Sequence, residues 1–265
     1  MSNKSEQLVA SRQINLFAPA TIGRIAAGDD LVAVIAAALA RESMALVDGD
    51  IVVIAQKIVS KAEGRLVRIE HIQPSARALE LHRITGKDAR IVELILQESR
   101  AVIHAGKDLL IVEHRLGHIM ANAGIDRSNI EALPADDGIV LLLPEDPDAS
   151  AGRIREGLGR LGGARIGVII SDSFGRPWRM GTVGVAIGVS GPAGMVDRRG
   201  DPDLFGRPLQ STEIGLADAL ASAAVLVMGE ASEGCPVVVV RGFEWEDAGQ
   251  TSRDLLRPSN KDVFR

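Results

Sequence analysis

The chain has 265 residues, 46% hydrophobic and 25% charged, with a formal net charge of -5, the composition of an ordinary globular domain. The acidic balance argues against a nucleic-acid partner, and no run of about 18 apolar residues is present to span a membrane. A single cysteine, Cys235, excludes an internal disulfide and points to a reducing, cytoplasmic setting, while aromatics at 3% with no Tyr leave the core to Ala, Val, Ile and Leu.

Residues 1–13 read as a flexible polar tail without the apolar centre of a signal peptide. Ile14 to Phe17 is a short strand, and Ala18 to Ile25 a loop. Asp29 or Asp30 then caps a helix from Leu31 to about Met44. Gly49-Asp50 turns the chain into a buried strand, Ile51 to Ala55, which runs straight into a polar loop from Gln56 to Arg65. There Lys57 and Lys61, with Ser60, form either a phosphate grip or a solvated basic loop. Helices follow over Pro74 to Leu81 and Asp88 to Ser99, then a strand from Leu109 to Glu113. The next polar loop, Ala121 to Asn129, carries Asp126 and Asn129, which suit a cation and a nucleotide hydroxyl, or equally an Asx turn.

Gly138 to Leu143 reads as a strand, and Asp146-Pro147-Asp148 opens a helix to about Leu161 with Asp148 as its cap. The most informative stretch comes next. An uncharged strand, Ile166 to Ile170, breaks at Ser171 into a loop holding Asp172, Ser173, Arg176 and Arg179. Open α/β sheets bind ligands at such strand ends. The oxygens of Asp172 and Ser173 suit Mg²⁺ or Mn²⁺, and the arginine forks suit phosphate or carboxylate; an internal ion pair is the alternative. Val183 to Ser190 is a further strand, and Arg198 to Pro208 a long turn-rich segment. Thr212 or Glu213 starts a helix through Val227, the loop Met228 to Pro236 leads to a last strand, Val237 to Val240, and a polar tail with Trp245 packs on the surface. No repeat or linker divides residues 14–265, which read as one domain with two interleaved lobes.

Gly157 to Gly162 spells G-x-G-x-x-G, but it ends a helix and precedes a strand, so it reads as a helix stop. The chain has no Walker-type phosphate loop, no zinc signature and no nucleophile elbow. His114 and His118 read as ordinary core or surface histidines.

Four segments, Gln56 to Arg65, Ala123 to Asn129, Leu143 to Ser150 and Ser171 to Arg179, resemble the coenzyme F420:L-glutamate ligase family in its stand-alone form. Asp203 to Leu209 and the Arg241-Gly242 step do so too, and the likeness runs in order over about residues 14–265. The resemblance implies an α+β fold of mixed sheets with interleaved helices, paired as an intertwined homodimer. It implies a GTP-dependent ligase that joins L-glutamate to the deazaflavin precursor F420-0 through an acyl phosphate and adds further glutamates by γ-linkages. The family's metal positions fall on Asp126, Asp172, Ser173 and Glu230, for one or two Mg²⁺ or Mn²⁺ ions, with a monovalent cation such as potassium beside them. Its nucleotide positions fall on Ile22, Gly23, Arg24 and Ile25, on Gln56, Lys61 and Asn129, and on Met228, Gly229, Glu230, Ala231, Ser232, Glu233, Gly234 and Cys235. Gly23 and Arg24 stand where the family usually carries Pro-Glu. Arg176 and Arg179 are catalytic candidates from their chemistry alone, for the acyl phosphate or the substrate's phosphodiester. The expected partners are F420-0 and L-glutamate, with no nucleic acid and no membrane. Two other readings remain: another metal- and nucleotide-dependent kinase or ligase of a small acid, or a deazaflavin-binding protein without activity.

Overall fold

The computed structural model describes residues 12–127 and 138–262. In chain order the elements are β1 (Asn15–Phe17), α1 (Leu31–Arg41), β2 (Ile51–Ala55), α2 (Gln56–Ala62), β3 (Leu66–Arg68), α3 (Ala76–Thr85), α4 (Ala89–Gln97), β4 (Ser99–Gly106), β5 (Leu109–His114), β6 (Ile119–Ala121), β7 (Ile139–Leu141), α5 (Pro147–Gly162), β8 (Gly167–Arg176), β9 (Arg179–Ser190), β10 (Met195–Asp197), β11 (Glu213–Gly215), α6 (Leu216–Met228) and β12 (Val237–Arg241). The fold is α+β, with mixed sheets and interleaved helices.

Its centre is a five-stranded sheet in the order β1-β12-β2-β8-β9, in which only β2 and β8 run parallel. The uninterrupted apolar runs of β2, β8 and β12 follow from burial on both faces. Val52, Ile54, Val168, Ile170, Val237 and Val239 pack on one face with Leu31 and Ile35 of α1 and Ala151, Ile154 and Leu158 of α5. Ile51, Val53, Ile169, Val238 and Val240 alternate to the other face, against Ala217, Leu220, Ala221 and Ala224 of α6. A second lobe sets α3 and α4 on the antiparallel sheet β4-β5-β6, around Leu81, Val92, Ile95, Leu110 and Val112. β3 and β7 form a small ladder of their own, as do β10 and β11.

A half-buried ionic hub fastens the two lobes. Glu98, just after α4, accepts from Arg65 Nη2 and Arg115 Nε, each at 3.0 Å, and Arg65 Nε also donates to the Leu143 carbonyl at 2.9 Å. Burial works against ionising Glu98, but the nearby His114 ring, the Arg115 hydrogen bond and the charge of Arg65 hold its carboxyl down at about 2.

Several sequence expectations are corrected. Gln56 to Ala62 is a helix, not a loop, and Ser60 within it is buried. The chain beyond Ile170 does not leave the sheet: β8 continues to Arg176 and pairs with β9 as a long hairpin turning at Pro177 and Trp178. The cap of α5 is Asp146, whose side chain takes the Ala149 N–H, whereas Asp148 accepts from Val189 N at 2.8 Å and from Ser252 N and Oγ at 2.9 Å. Asp148 therefore ties the helix to the sheet and the C-terminal segment. The end of α5 agrees with the expectation: the helix stops at Gly162 with a left-handed Gly163 as its cap, and Gly157 lies against Val32 of α1, where a side chain would collide. Glu213 to Gly215 is a strand ahead of α6, and α1 stops at Arg41, with Ser43 at φ 55 turning the chain away. Trp245 is buried rather than on the surface. Among the described residues no helix is long and apolar enough to cross a membrane.

Candidate functional site

β2 ends at Ala55 opposite Ser171, where its parallel pairing with β8 stops while β8 runs on. A cleft of about 690 Å³ opens at that point, within the size range of small-molecule sites. Its walls bring together Ile22, Gly23 and Arg24, then Gln56, Lys57 and Lys61 of α2, Asp172 and Ser173 of β8, and the loop Met228 to Pro236. These are most of the positions expected from the sequence, drawn from four separated segments. Ile25 packs against the main core instead. Arg176 and Arg179 face each other near the exposed end of the hairpin, and neither lines the cleft. Asn129 lies outside the described residues.

Strand alternation divides the work at the end of β8. Asp172 and Phe174 share one face, where the Phe174 ring meets His118 edge-on at 6.3 Å. Ser173 points to the other face and donates to Glu230 Oε2 at 2.7 Å, tying β8 to the loop after α6. Asp172 is pushed up to about 7, chiefly by burial and then by the negative charges of Asp126 and Glu230, against the Ser173 N–H and Lys57 that favour its ionised form. Asp126 reaches this place from the second lobe, and Lys57 Nζ stands 2.7 Å from its Oδ2.

The approach to Asp126 is unusual. Asn122, Ala123 and Gly124 all have positive φ, at 54°, 53° and 67°, a left-handed turn of which only the last residue is glycine. Left-handed backbone at Asn122 and Ala123 costs roughly 1 kcal/mol each. Two backbone hydrogen bonds between Asp126 and Leu141, at 3.0 and 2.9 Å, then hold the segment against the end of β7.

Among the described residues no three Asp, Glu, His or Cys side chains close into a metal cage on their own. The donors nevertheless fit a hard divalent ion. Asp126, Asp172, Ser173 and Glu230 all offer oxygen, and burial, joined by the nearby charges of Asp126 and Glu230, disfavours the bare ionised Asp172 that a cation would compensate. Mg²⁺ is commonly held by one or two carboxylates, with waters and substrate phosphates completing the shell.

Ser60 is not a ligand-facing hydroxyl: it is fully buried and donates to Gln56 Oε1 at 2.8 Å. Ser60→Ala is expected to lower stability by about 1–2 kcal/mol, because Gln56 loses its partner, and to leave nucleotide affinity within about twofold of the parent. Thermal unfolding and a nucleotide titration check both halves. Lys57 carries more of the site than its place in a basic run indicated, through its ion pair with Asp126. Glu233 was expected only as part of a loop. Its Oε2 takes the Ala231 N–H at 2.8 Å, and its side chain fills the space beside Gly229, which leaves no room there for a Cβ.

An α+β protein with lysines, oxygen donors and a glycine-edged loop gathered where a parallel strand pairing stops is equipped to handle a charged small molecule. Residues 20–242 match the family model for F420-0:gamma-glutamyl ligase. Among curated relatives, the coenzyme F420:L-glutamate ligase of Methanothermobacter thermautotrophicus is 49% identical over 245 residues, covering 91% of this chain and 94% of that protein. The enzyme of the same name from Methanocaldococcus jannaschii is 50% identical over 218 residues, covering 82% and 85%. That of Archaeoglobus fulgidus is 40% identical over 253 residues, covering 96% and 97%. The chain belongs to the F420-0:gamma-glutamyl ligase family.

Proposed function

We propose that the chain joins the amino group of L-glutamate to the carboxylate of F420-0 at the expense of GTP, and then lengthens the product by γ-linked glutamates. The observation that carries this reading is the meeting, at one strand-end cleft, of Asp172 and Ser173 from β8, Glu230 from the loop after α6 and Lys57 and Lys61 from α2, with Asp126 of the second lobe paired to Lys57. A carboxylate does not react with an amine directly, because its oxygen is a poor leaving group. Transfer of the γ-phosphoryl group to the F420-0 carboxylate gives an acyl phosphate and GDP. Attack by the glutamate amine at the acyl carbon then forms the amide and expels phosphate, the amine losing a proton.

Phosphoryl transfer depends mainly on positioning and on neutralising charge. In this reading Asp126, Asp172, Ser173 and Glu230 hold a divalent cation, Mg²⁺ or Mn²⁺, which when bound neutralises phosphate charge. Lys57 and Lys61 face the phosphates, and the segments 22–24 and 228–235 enclose the rest of the nucleotide. Arg176 and Arg179 reach outward on the hairpin towards the phosphodiester of F420-0. The same hairpin exposes Trp178 and Met180, at 86% and 97% of their surface, and the loop after β10 exposes Leu204 and Phe205 at 100% and 85%. Apolar side chains this open are surfaces for a second copy of the chain, and sedimentation at micromolar concentration is expected to give a dimer.

The test of the activity is incubation of the chain with F420-0, GTP, Mn²⁺ and L-glutamate. GDP and phosphate are expected only when both co-substrates are present, with product masses rising by glutamate units. GDP release without glutamate would favour a kinase of a small acid. Binding of F420-0 with no phosphate release would favour a passive carrier.

A further inference from the structure

We infer that the left-handed turn Asn122–Ala123–Gly124 is a positioning device for Asp126, the one carboxylate of the site supplied by the second lobe. The inference rests on the cation role proposed for Asp126. Three consecutive residues with positive φ are seldom needed merely to link two strands, and a tolerant linker would place glycine at each. Here the middle residue is alanine, fully buried in the core of the second lobe beside Leu110 and Val112. The third is a glycine pressed between lobes: a Cβ on Gly124 would lie 2.9 Å from Leu143 Cγ and 2.9 Å from Met120 Cε. The first, Asn122, keeps its side-chain oxygen buried without a hydrogen-bond partner. Local strain and an unsatisfied polar atom persist only where the surroundings over-determine a conformation. Two residues further on, the Asp126 backbone is clamped to Leu141 and its carboxylate meets Lys57. The turn is thus anchored by core on one side and by Leu143 on the other, and it fixes where the chain delivers Asp126 opposite Asp172.

The experiment is a calorimetric titration of Mn²⁺ into enzyme with GDP, beside thermal unfolding. It compares Gly124→Ala and Ala123→Gly, each alone and combined with Asp126→Asn. Asp126→Asn is expected to weaken Mn²⁺ binding about tenfold or more, and each turn variant about fivefold. The turn variants are expected to add no further loss in the Asp126→Asn background, because they act through the same carboxylate. Ala123→Gly relaxes the backbone without adding an atom, so the test stands even where Gly124→Ala does not fold. Turn variants that shift the unfolding temperature yet bind Mn²⁺ like the parent would overturn the inference, as would losses of equal size in both backgrounds. In those outcomes a weakened Asp126→Asn keeps the cation role intact. An Asp126→Asn enzyme that binds like the parent removes that role, and the inference with it.

Discussion

Asp172→Ala is expected to abolish ligase turnover, a loss of about 10³-fold or more, with the fold retained. The size follows from what phosphoryl transfer asks of a site: removing a group that neutralises or organises the developing charge commonly costs that much. Retention of the fold follows from the surroundings of Asp172. Burial and the charges of Asp126 and Glu230 disfavour its ionised form, so the carboxylate is a source of repulsion rather than of stability. Removing it relieves that repulsion, and thermal unfolding is expected to stay within a few degrees of the parent or to rise. GDP release in the presence of F420-0 and glutamate, read together with an unfolding scan, separates the two effects. A variant that turns over normally at ordinary Mn²⁺ concentrations would refute the role given to this carboxylate.

Trp245→Ala is expected to be the most damaging single change to stability outside the site, at about 3–5 kcal/mol, a fall on the order of 10 °C for a domain of this size. The ring is 8% exposed in a protein with few aromatics. Its indole N–H donates to the Gly49 carbonyl at 2.8 Å, and the guanidinium of Arg165 lies 4.6 Å from the ring centroid. Arg155, 5.9 Å from the ring, also pairs with Asp247 at 2.5 Å and donates to the Ile166 carbonyl at 2.8 Å. The ring thereby seals the start of β8 and the turn before β2. Trp245→Phe keeps most of the apolar area and loses the hydrogen bond, so it is expected to cost about 1–2 kcal/mol. Equal losses for the two variants would show that the hydrogen bond, not the packing, is what matters.

These two residues also mark what could be read in the chain and what could not. The strand Ile51–Ala55 was legible residue for residue, because an apolar run between a Gly-Asp turn and a polar segment has few other interpretations. The end of the apolar run at Ile170 was legible as the edge of a cleft, yet misleading as the end of the strand. Beyond it β8 stays paired with β9, under α6 as far as Ser173 and in solvent from Gly175 on, so polar residues there do not break the ladder. The helix at Gln56 was hidden because seven residues are too few for a periodic signal, and Ser60 in a Lys-rich run looked exposed although it packs inward. Trp245 was read from polar neighbours in its own segment, while its partners Gly49 and Arg165 come from distant parts of the chain. The candidate site was legible one residue at a time through the family likeness. The Lys57–Asp126 pair was not, since it depends on how one lobe sits on the other. Nor was the left-handed turn: Gly124 carries a signal for positive φ, but an alanine before it carries none.

The division of labour between Asp172 and Ser173 has an evolutionary corollary. Neighbours on an extended chain look in opposite directions, so loss or gain of one codon between Ile166 and Asp172 would exchange acid for hydroxyl across the sheet and leave both halves of the cleft wrongly furnished at once. Lineages of this protein should therefore keep the length of the few residues that precede the acid unchanged.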